Sequence, residues 1–233
     1  MTPRKGIVTG AASGIGRATA QRLLATGWRV IGIDLSGDLP DGVEASTGDA
    51  ADEMVLRRAL TAVGPEVHGL VCAAGMMPRG DWNDRAEWDE ALRVDLSGPY
   101  EQIRVLLPAL ATGRGSAVVV GSIVGSAEGS ARAPAYAAAK AGLGGLVRSM
   151  ALIGAPLGVR VNLVEPGAID TPFDAPRFPA DQRPDVPLGR MGTADEVAGA
   201  ITYLLGPDAT YVTGATLRVD GGRTLQGPQA AME

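Results

Sequence analysis

The sequence predicts an α/β fold, a doubly wound parallel sheet of about seven strands with helices on both faces, and three observations carry that prediction. Short apolar runs alternate with helical periodicity from end to end. Glycine occurs 33 times, about twice its usual share of roughly 7%, as expected of a chain with many tight strand-to-helix turns. The first apolar run passes directly into a glycine-rich turn and then into a helical pattern. At 233 residues the chain has material for one well-buried core, and a single domain over residues 1–233 is expected.

Taken in order, the strands are expected at Gly6 to Thr9, Arg29 to Asp34, Val43 to Asp49, Gly69 to Ala73, Ser116 to Val120, Val159 to Val164 and Thr216 to Val219. Helices fill the intervals. Ala20, Leu23 and Leu24 mark the apolar face of the first, which Gly27 closes. Leu56, Ala59, Leu60 and Val63 follow the i, i+3, i+4, i+7 spacing, as do Leu143, Leu146, Val147 and Met150. Thr193 and Glu196 form a capping box ahead of a helix whose inner face is Val197, Ile201, Leu204 and Leu205. Two intervals depart from this alternation. Ser36 to Gly42 is rich in Gly, Asp and Pro, so a loop replaces a full helix there. Residues 172–187 carry five prolines and little helical periodicity, and are read as a mobile connection that serves as a substrate lid.

Composition removes several function classes. A net charge of −5 with no basic stripe is a poor nucleic-acid surface. No apolar run reaches the roughly 20 residues that a membrane-spanning helix needs, and the apolar stretch around Ile7 and Val8 is too short for a signal peptide. One cysteine, Cys72, excludes an intrachain disulfide, and a cytoplasmic protein is expected.

The turn after the first strand reads Thr9-Gly10-Ala11-Ala12-Ser13-Gly14-Ile15-Gly16. Glycines at a strand-to-helix turn let the backbone approach a pyrophosphate, and the free N–H groups of the helix N-terminus attract its charge. A tight turn with no ligand would also use glycine; the position between strand and helix favours nucleotide binding through Gly10, Ser13, Gly14, Ile15 and Gly16. Asp34 ends the second strand, where a carboxylate can accept both ribose hydroxyls of adenosine and would repel a 2′-phosphate. No Arg or Lys stands in Ala11 to Ser13 or at Leu35 and Ser36, so NAD is preferred over NADP.

Tyr136 and Lys140 lie at i and i+4 of a predicted helix and share one face. A phenol is a weak base at neutral pH, but a neighbouring ammonium stabilises the phenolate and lowers its pKa, which suits proton exchange with a substrate oxygen. Such pairs are common on helix surfaces. What singles this one out is Ser122, just past an apolar strand in Val120-Gly121-Ser122-Ile123-Val124-Gly125, where its hydroxyl can meet the same oxygen.

These motifs, with Val161-Asn162-Leu163-Val164-Glu165-Pro166-Gly167-Ala168-Ile169-Asp170-Thr171-Pro172, resemble in content and order the short-chain dehydrogenase/reductase family over residues 5 to about 223. Pro187 to Thr193 and Val219 to Gly222 resemble the family's closing segments. The resemblance implies a Rossmann-type sheet of seven parallel strands, Tyr136 as general acid/base, Lys140 on the nicotinamide ribose and Ser122 steadying the substrate oxygen. It also implies Asp49 at the adenine, Ala74, Gly75, Pro166 and Gly167 against the cofactor, and Ile169 and Thr171 at the nicotinamide amide. Homodimers or homotetramers are implied as well. Two positions depart from the family pattern: its Asn-Asn-Ala-Gly turn reads Cys72-Ala73-Ala74-Gly75, and the Asn of its fourth catalytic position, which serves proton relay, is Asp95.

Met76, Met77, Val124, Glu128, Phe173 and Phe178 flank the reacting groups or lie in the lid segment, giving a largely apolar substrate wall with one carboxylate. His68, the only histidine, has no partner in ligand spacing; it is read as a strand-edge residue, and no metal site is expected. Cys72 is read as a small buried filler, and Trp82, Trp88 and Tyr100 as packing or subunit-contact residues. The expected reaction is hydride transfer between NAD and a small secondary alcohol or ketone. Two other readings use the same residues: an isomerase, epimerase or cyclase with no net redox change, and a catalytically silent cofactor sensor.

Overall fold

Ile7 and Val8 are adjacent in the first strand, point to opposite faces, and are both fully buried, so that strand must be covered on two sides. The computed structural model, which describes residues 2–78, 82–173 and 185–225, covers it with helices on each side. Strands β1 (Lys5–Thr9), β2 (Arg29–Asp34), β3 (Glu44–Thr47), β4 (Gly69–Cys72), β5 (Ser116–Val120), β6 (Arg160–Pro166) and β9 (Thr216–Val219) form a seven-stranded sheet in the order β3-β2-β1-β4-β5-β6-β9. All its ladders are parallel. The short strands β7 (Ile169–Asp170) and β8 (Gly192–Thr193) pair separately.

On one face, Ala20 and Leu23 of α1 (Gly14–Ala25) and Val197 and Ile201 of α7 (Ala194–Leu205) pack on Val8, Val30, Val71, Val118 and Val164. On the other, α2 (Glu53–Val63), α4 (Gly98–Thr112) and α6 (Pro134–Gly154) bring Leu56, Leu106 and Leu143 onto Ile7, Ile31, Leu70 and Leu163. Each fully buried aliphatic side chain contributes about 1.5–3 kcal/mol. The expected capping box is present: Glu196 N–H donates to Thr193 Oγ1 at 3.2 Å, and Thr193 N–H donates to Glu196 Oε2 at 2.8 Å. The interval after β2 is a loop, as its composition predicts.

Several boundaries move. The third strand ends at Thr47, paired with Asp34, so Asp49 lies beyond it rather than within it. β6 runs through Pro166 because its carboxyl end pairs with β9 as far as Val219. The helical interval between β4 and β5 is broken into α3 (Arg85–Leu92), a π-helical turn at Arg93–Ser97, and α4. The wider turn places Asp95 inward, fully buried, where an unbroken α-helix would rotate it differently. Of the segment read as a lid, residues 174–184, including Phe178, lie outside the described residues. Trp82 and Tyr100 are exposed and do not pack internally; Trp88 is half-buried.

The strand order reverses between β1 and β4, and in such sheets the crevice at the carboxyl ends of the strands receives ligands. The turns after β1, β4, β5 and β6 all open into that crevice.

Candidate active site

A cavity of about 380 Å³ lies along this crevice. Of the residues singled out in the sequence, it is lined by Gly10, Ser13, Gly14, Ile15 and Gly16, by Asp34 and Asp49, and by Ala74, Gly75 and Met76. Ser122, Val124, Glu128, Tyr136, Lys140, Pro166, Gly167, Ile169, Thr171 and Phe173 complete the same wall. From the end of β2 to the end of β5 the crevice crosses three strand spacings, roughly 14 Å, which separates Asp34 from Ser122.

The glycine turn is shaped by contact rather than by flexibility alone. A Cβ on Gly16 would lie 2.1 Å from the Gly10 carbonyl oxygen, so only glycine lets α1 start this close to β1. Ser13 precedes α1 but makes no side-chain cap, whereas Asp52 caps α2, Asp84 caps α3 and Thr193 caps α7. The first N–H groups of α1 are thus left to the cavity that Gly14, Ile15 and Gly16 line. Asp34 is pinned at both oxygens: Ala12 N–H donates to Oδ2 at 2.9 Å and Ser36 N–H to Oδ1 at 3.0 Å.

Thr9 holds the turn after β4. Its hydroxyl donates to Gln102 Oε1 at 3.1 Å and accepts from the N–H groups of Ala73 and Ala74, each at 3.1 Å. The departure to Cys72-Ala73-Ala74-Gly75 therefore leaves a turn anchored from below. Cys72 is buried, and burial pushes its thiol up, away from reactivity. His68 Nδ1 accepts from Lys5 N–H at 3.0 Å at the edge of β4, and burial lowers its pKa.

At the end of the cavity away from Asp34, Ser122 Oγ accepts from Val124 N–H at 3.1 Å as it opens the short turn α5 (Ile123–Ser126). Tyr136 is buried on α6, its ring 6.1 Å from that of Phe173, centroid to centroid. Lys140, one turn further on, places Nζ 5.5 Å from the Tyr136 ring centroid and donates to the Val120 carbonyl at 3.2 Å. Nζ also stands 3.1 Å from Asp95 Oδ1. Burial draws the Lys140 ammonium down, but the charge of Asp95, Tyr136 and the Asp95 hydrogen bond outweigh it and leave Lys140 above its ordinary range. Burial pushes the Asp95 carboxyl up, against the pull of Lys140 and of Met76 N–H, which donates to its two oxygens at 3.3 and 3.4 Å. Asp95 does not line the cavity; it sits behind Lys140.

Three charged residues that sequence reading passed over also line the cavity: Glu90, Arg93 and Arg223. Arg93 bridges Asp49 at 2.8 Å and Glu90 at 2.7 Å. Its place two residues before Asp95 was the available signal. Arg223 bonds Glu128 through Nε at 2.7 Å and Nη2 at 3.2 Å, so the expected lone carboxylate of the substrate wall is half of an ion pair. Arg223 directly follows the recognised Val219 to Gly222 segment, but nothing local points it at Glu128.

A family model described as enoyl-(acyl carrier protein) reductase matches residues 10–224. Cis-4-hydroxycyclohexanecarboxylate dehydrogenase of Sinomonas cyclohexanicum is 38% identical over 242 residues, spanning 95% of this chain and 96% of that protein. The 3-oxoacyl-(acyl-carrier-protein) reductase FabG of Escherichia coli strain K12 is 37% identical over 236 residues, 93% of this chain and 95% of its own. Among solved structures, the ligand-free aldohexose dehydrogenase of Thermoplasma acidophilum matches with a TM-score of 0.91 at 29% identity, over 99% of this chain and 98% of that one.

Proposed function

The chain belongs to the short-chain dehydrogenase/reductase family of oxidoreductases, and from that premise we propose that it is an NAD-dependent enzyme moving a hydride between nicotinamide and a small secondary alcohol or ketone. The observation that carries the reading is the convergence of Ser122, Tyr136 and Lys140 on one end of a cavity whose other end presents the pinned carboxylate of Asp34. The relatives' names, a ring-alcohol dehydrogenase, an aldohexose dehydrogenase and a 3-oxoacyl reductase, share a CH–OH or keto group and no single substrate.

The residues present suit a dinucleotide. Uncapped N–H groups at α1 fit its phosphates, and Asp34 suits two ribose hydroxyls while opposing a 2′-phosphate. When bound, nicotinamide supplies the hydride chemistry. The chain's own work is positioning and proton transfer. In the oxidation direction, the Tyr136 oxygen accepts the substrate hydroxyl proton while the Ser122 hydroxyl donates to the same substrate oxygen. Lys140, kept charged by Asp95, stabilises the Tyr136 phenolate.

Purified protein incubated with secondary alcohols and NAD should produce reduced nicotinamide, read by its near-ultraviolet absorbance. Product without net absorbance change would favour an isomerase or epimerase, and no protein-dependent conversion of any compound would leave a cofactor sensor.

A further inference from the structure

The loop that carries Ser122 folds back on itself so that Glu128 reaches the same cavity. Glu128 N–H donates to the Ile123 carbonyl at 3.0 Å, and Gly125 N–H donates to the Glu128 carbonyl at 2.7 Å. A Cβ on Gly125 would lie 2.3 Å from the Ala137 carbonyl oxygen, so this loop is pressed against α6 one residue beyond Tyr136. The Glu128 backbone is therefore fixed with respect to both Ser122 and Tyr136, and Arg223 holds its side chain. Its partner is equally fixed. Asp220 accepts from the N–H groups of Gly222 and Thr224, at 3.0 and 2.9 Å, and so shapes the turn that delivers Arg223. Arg218 Nη1 donates to Thr224 Oγ1 at 3.1 Å, while the same guanidinium holds the buried Glu165 at 3.0 Å.

Around this pair the substrate end is lined by Met76, Val124 and Phe173. An apolar wall interrupted by one preformed, half-buried carboxylate–guanidinium pair distinguishes among substrate chemistries. A carboxylate has about four lone-pair sites, and Arg223 engages one on each Glu128 oxygen, so Glu128 can still accept from a substrate hydroxyl. A substrate carboxylate would have to compete with Glu128 for Arg223 and approach a like charge. A purely aliphatic alcohol would leave the remaining acceptor sites of Glu128 unmet as water is expelled.

We propose that Glu128, braced by Arg223, is a specificity-determining residue that selects neutral substrates bearing a second hydroxyl group, polyols and hydroxyketones, over hydroxy acids and simple alcohols. This rests on the oxidoreductase reading of the same cavity. It is tested with compounds sharing one ring: cyclohexanol, the cyclohexanediols and the hydroxycyclohexanecarboxylic acids, each oxidised with NAD by wild type, Glu128→Gln and Arg223→Met. NAD binding, followed by quenching of protein fluorescence, reports that each variant is folded.

In wild type, one diol should exceed cyclohexanol in kcat/KM by about tenfold or more, the scale of one hydrogen bond to a charged acceptor, and the hydroxy acids should be slowest. Glu128→Gln should reduce the diol-to-cyclohexanol ratio about tenfold and raise the hydroxy acids relative to both, because the like charge that opposes a substrate carboxylate is then gone. Arg223→Met should also narrow the diol preference, without favouring the acids. Equal kcat/KM for all compounds, a wild-type preference for cyclohexanol or an acid, or ratios unchanged in folded Glu128→Gln would overturn the assignment while leaving the oxidoreductase reading intact. No turnover of any compound by NAD-binding wild type would overturn both.

Discussion

Lys140 and Asp95 form a buried ion pair behind the Ser122–Tyr136 end of the cavity, Nζ 3.1 Å from Oδ1, with side chains 6% and 0% exposed. The Tyr136 ring centroid lies 5.5 Å from the same ammonium. The ammonium proposed to favour the phenolate is therefore shared with a carboxylate, at the position where the family pattern has Asn.

Asp95→Asn tests what that sharing does. An amide can still accept from Met76 N–H and from Lys140, so the variant should fold and turn over. Removing the negative charge lets Lys140 act more fully on Tyr136, lowering the phenol pKa and moving the rising, acid-side limb of the oxidation profile to lower pH, by on the order of one unit. The check is kcat/KM against pH for both forms; superimposed profiles would make Asp95 neutral in the reaction.

Tyr136→Phe removes only the ionisable oxygen and keeps the ring against Phe173 and Val124. Turnover should fall about 10²- to 10⁴-fold while NAD binding persists. A variant retaining more than about a tenth of wild-type kcat would remove Tyr136 from acid/base chemistry.

Asp34→Ala should weaken NAD and narrow the gap to NADP, changing the ratio of the two kcat/KM values by about tenfold or more. Because Asp34 also ties Ala12 N–H to Ser36 N–H, Asp34→Asn serves as a partner variant: it keeps one acceptor and loses the charge. Comparable wild-type kcat/KM for NAD and NADP would defeat the assignment.

The capping box of α7 supplies a stability prediction. Thr193→Ala should cost about 1 kcal/mol, a fall in Tm of about 2–4 °C for a chain of this size. Glu196 is held down to about 2 by Arg190 and by Thr193 N–H. A depressed carboxylate contributes stability above its unfolded pKa, near 4.5, and loses it as pH falls through the folded value. Glu196→Gln should therefore lower Tm at neutral pH, and the difference from wild type should shrink as the pH is taken from about 4.5 toward 2. A difference independent of pH would assign the effect to lost packing instead.

What could be read in advance was whatever repeats at short range. All seven strands of the main sheet, the loop after β2 and the α7 capping box are legible because burial on two faces, turn chemistry and caps act over a few residues. The glycine turn and the Tyr136–Lys140 spacing are local in the same sense. The boundaries of β3 and β6 were less legible, since the length of a parallel strand is set by how far its neighbours extend and not by its own composition.

By itself, then, the sequence determined the alternating α/β plan, the glycine turn after β1 and the spacing of the side chains proposed to react. Tertiary structure alone decided what those groups face. The π-helical turn that rotates Asp95 onto Lys140, the backbone N–H groups that pin Asp34, and the Glu128–Arg223 pair across 95 positions all join segments distant along the chain. Their physical reason is common to all: an ion pair or hydrogen bond depends on distances of about 3 Å, which packing of the sheet and helices sets and residue spacing does not encode.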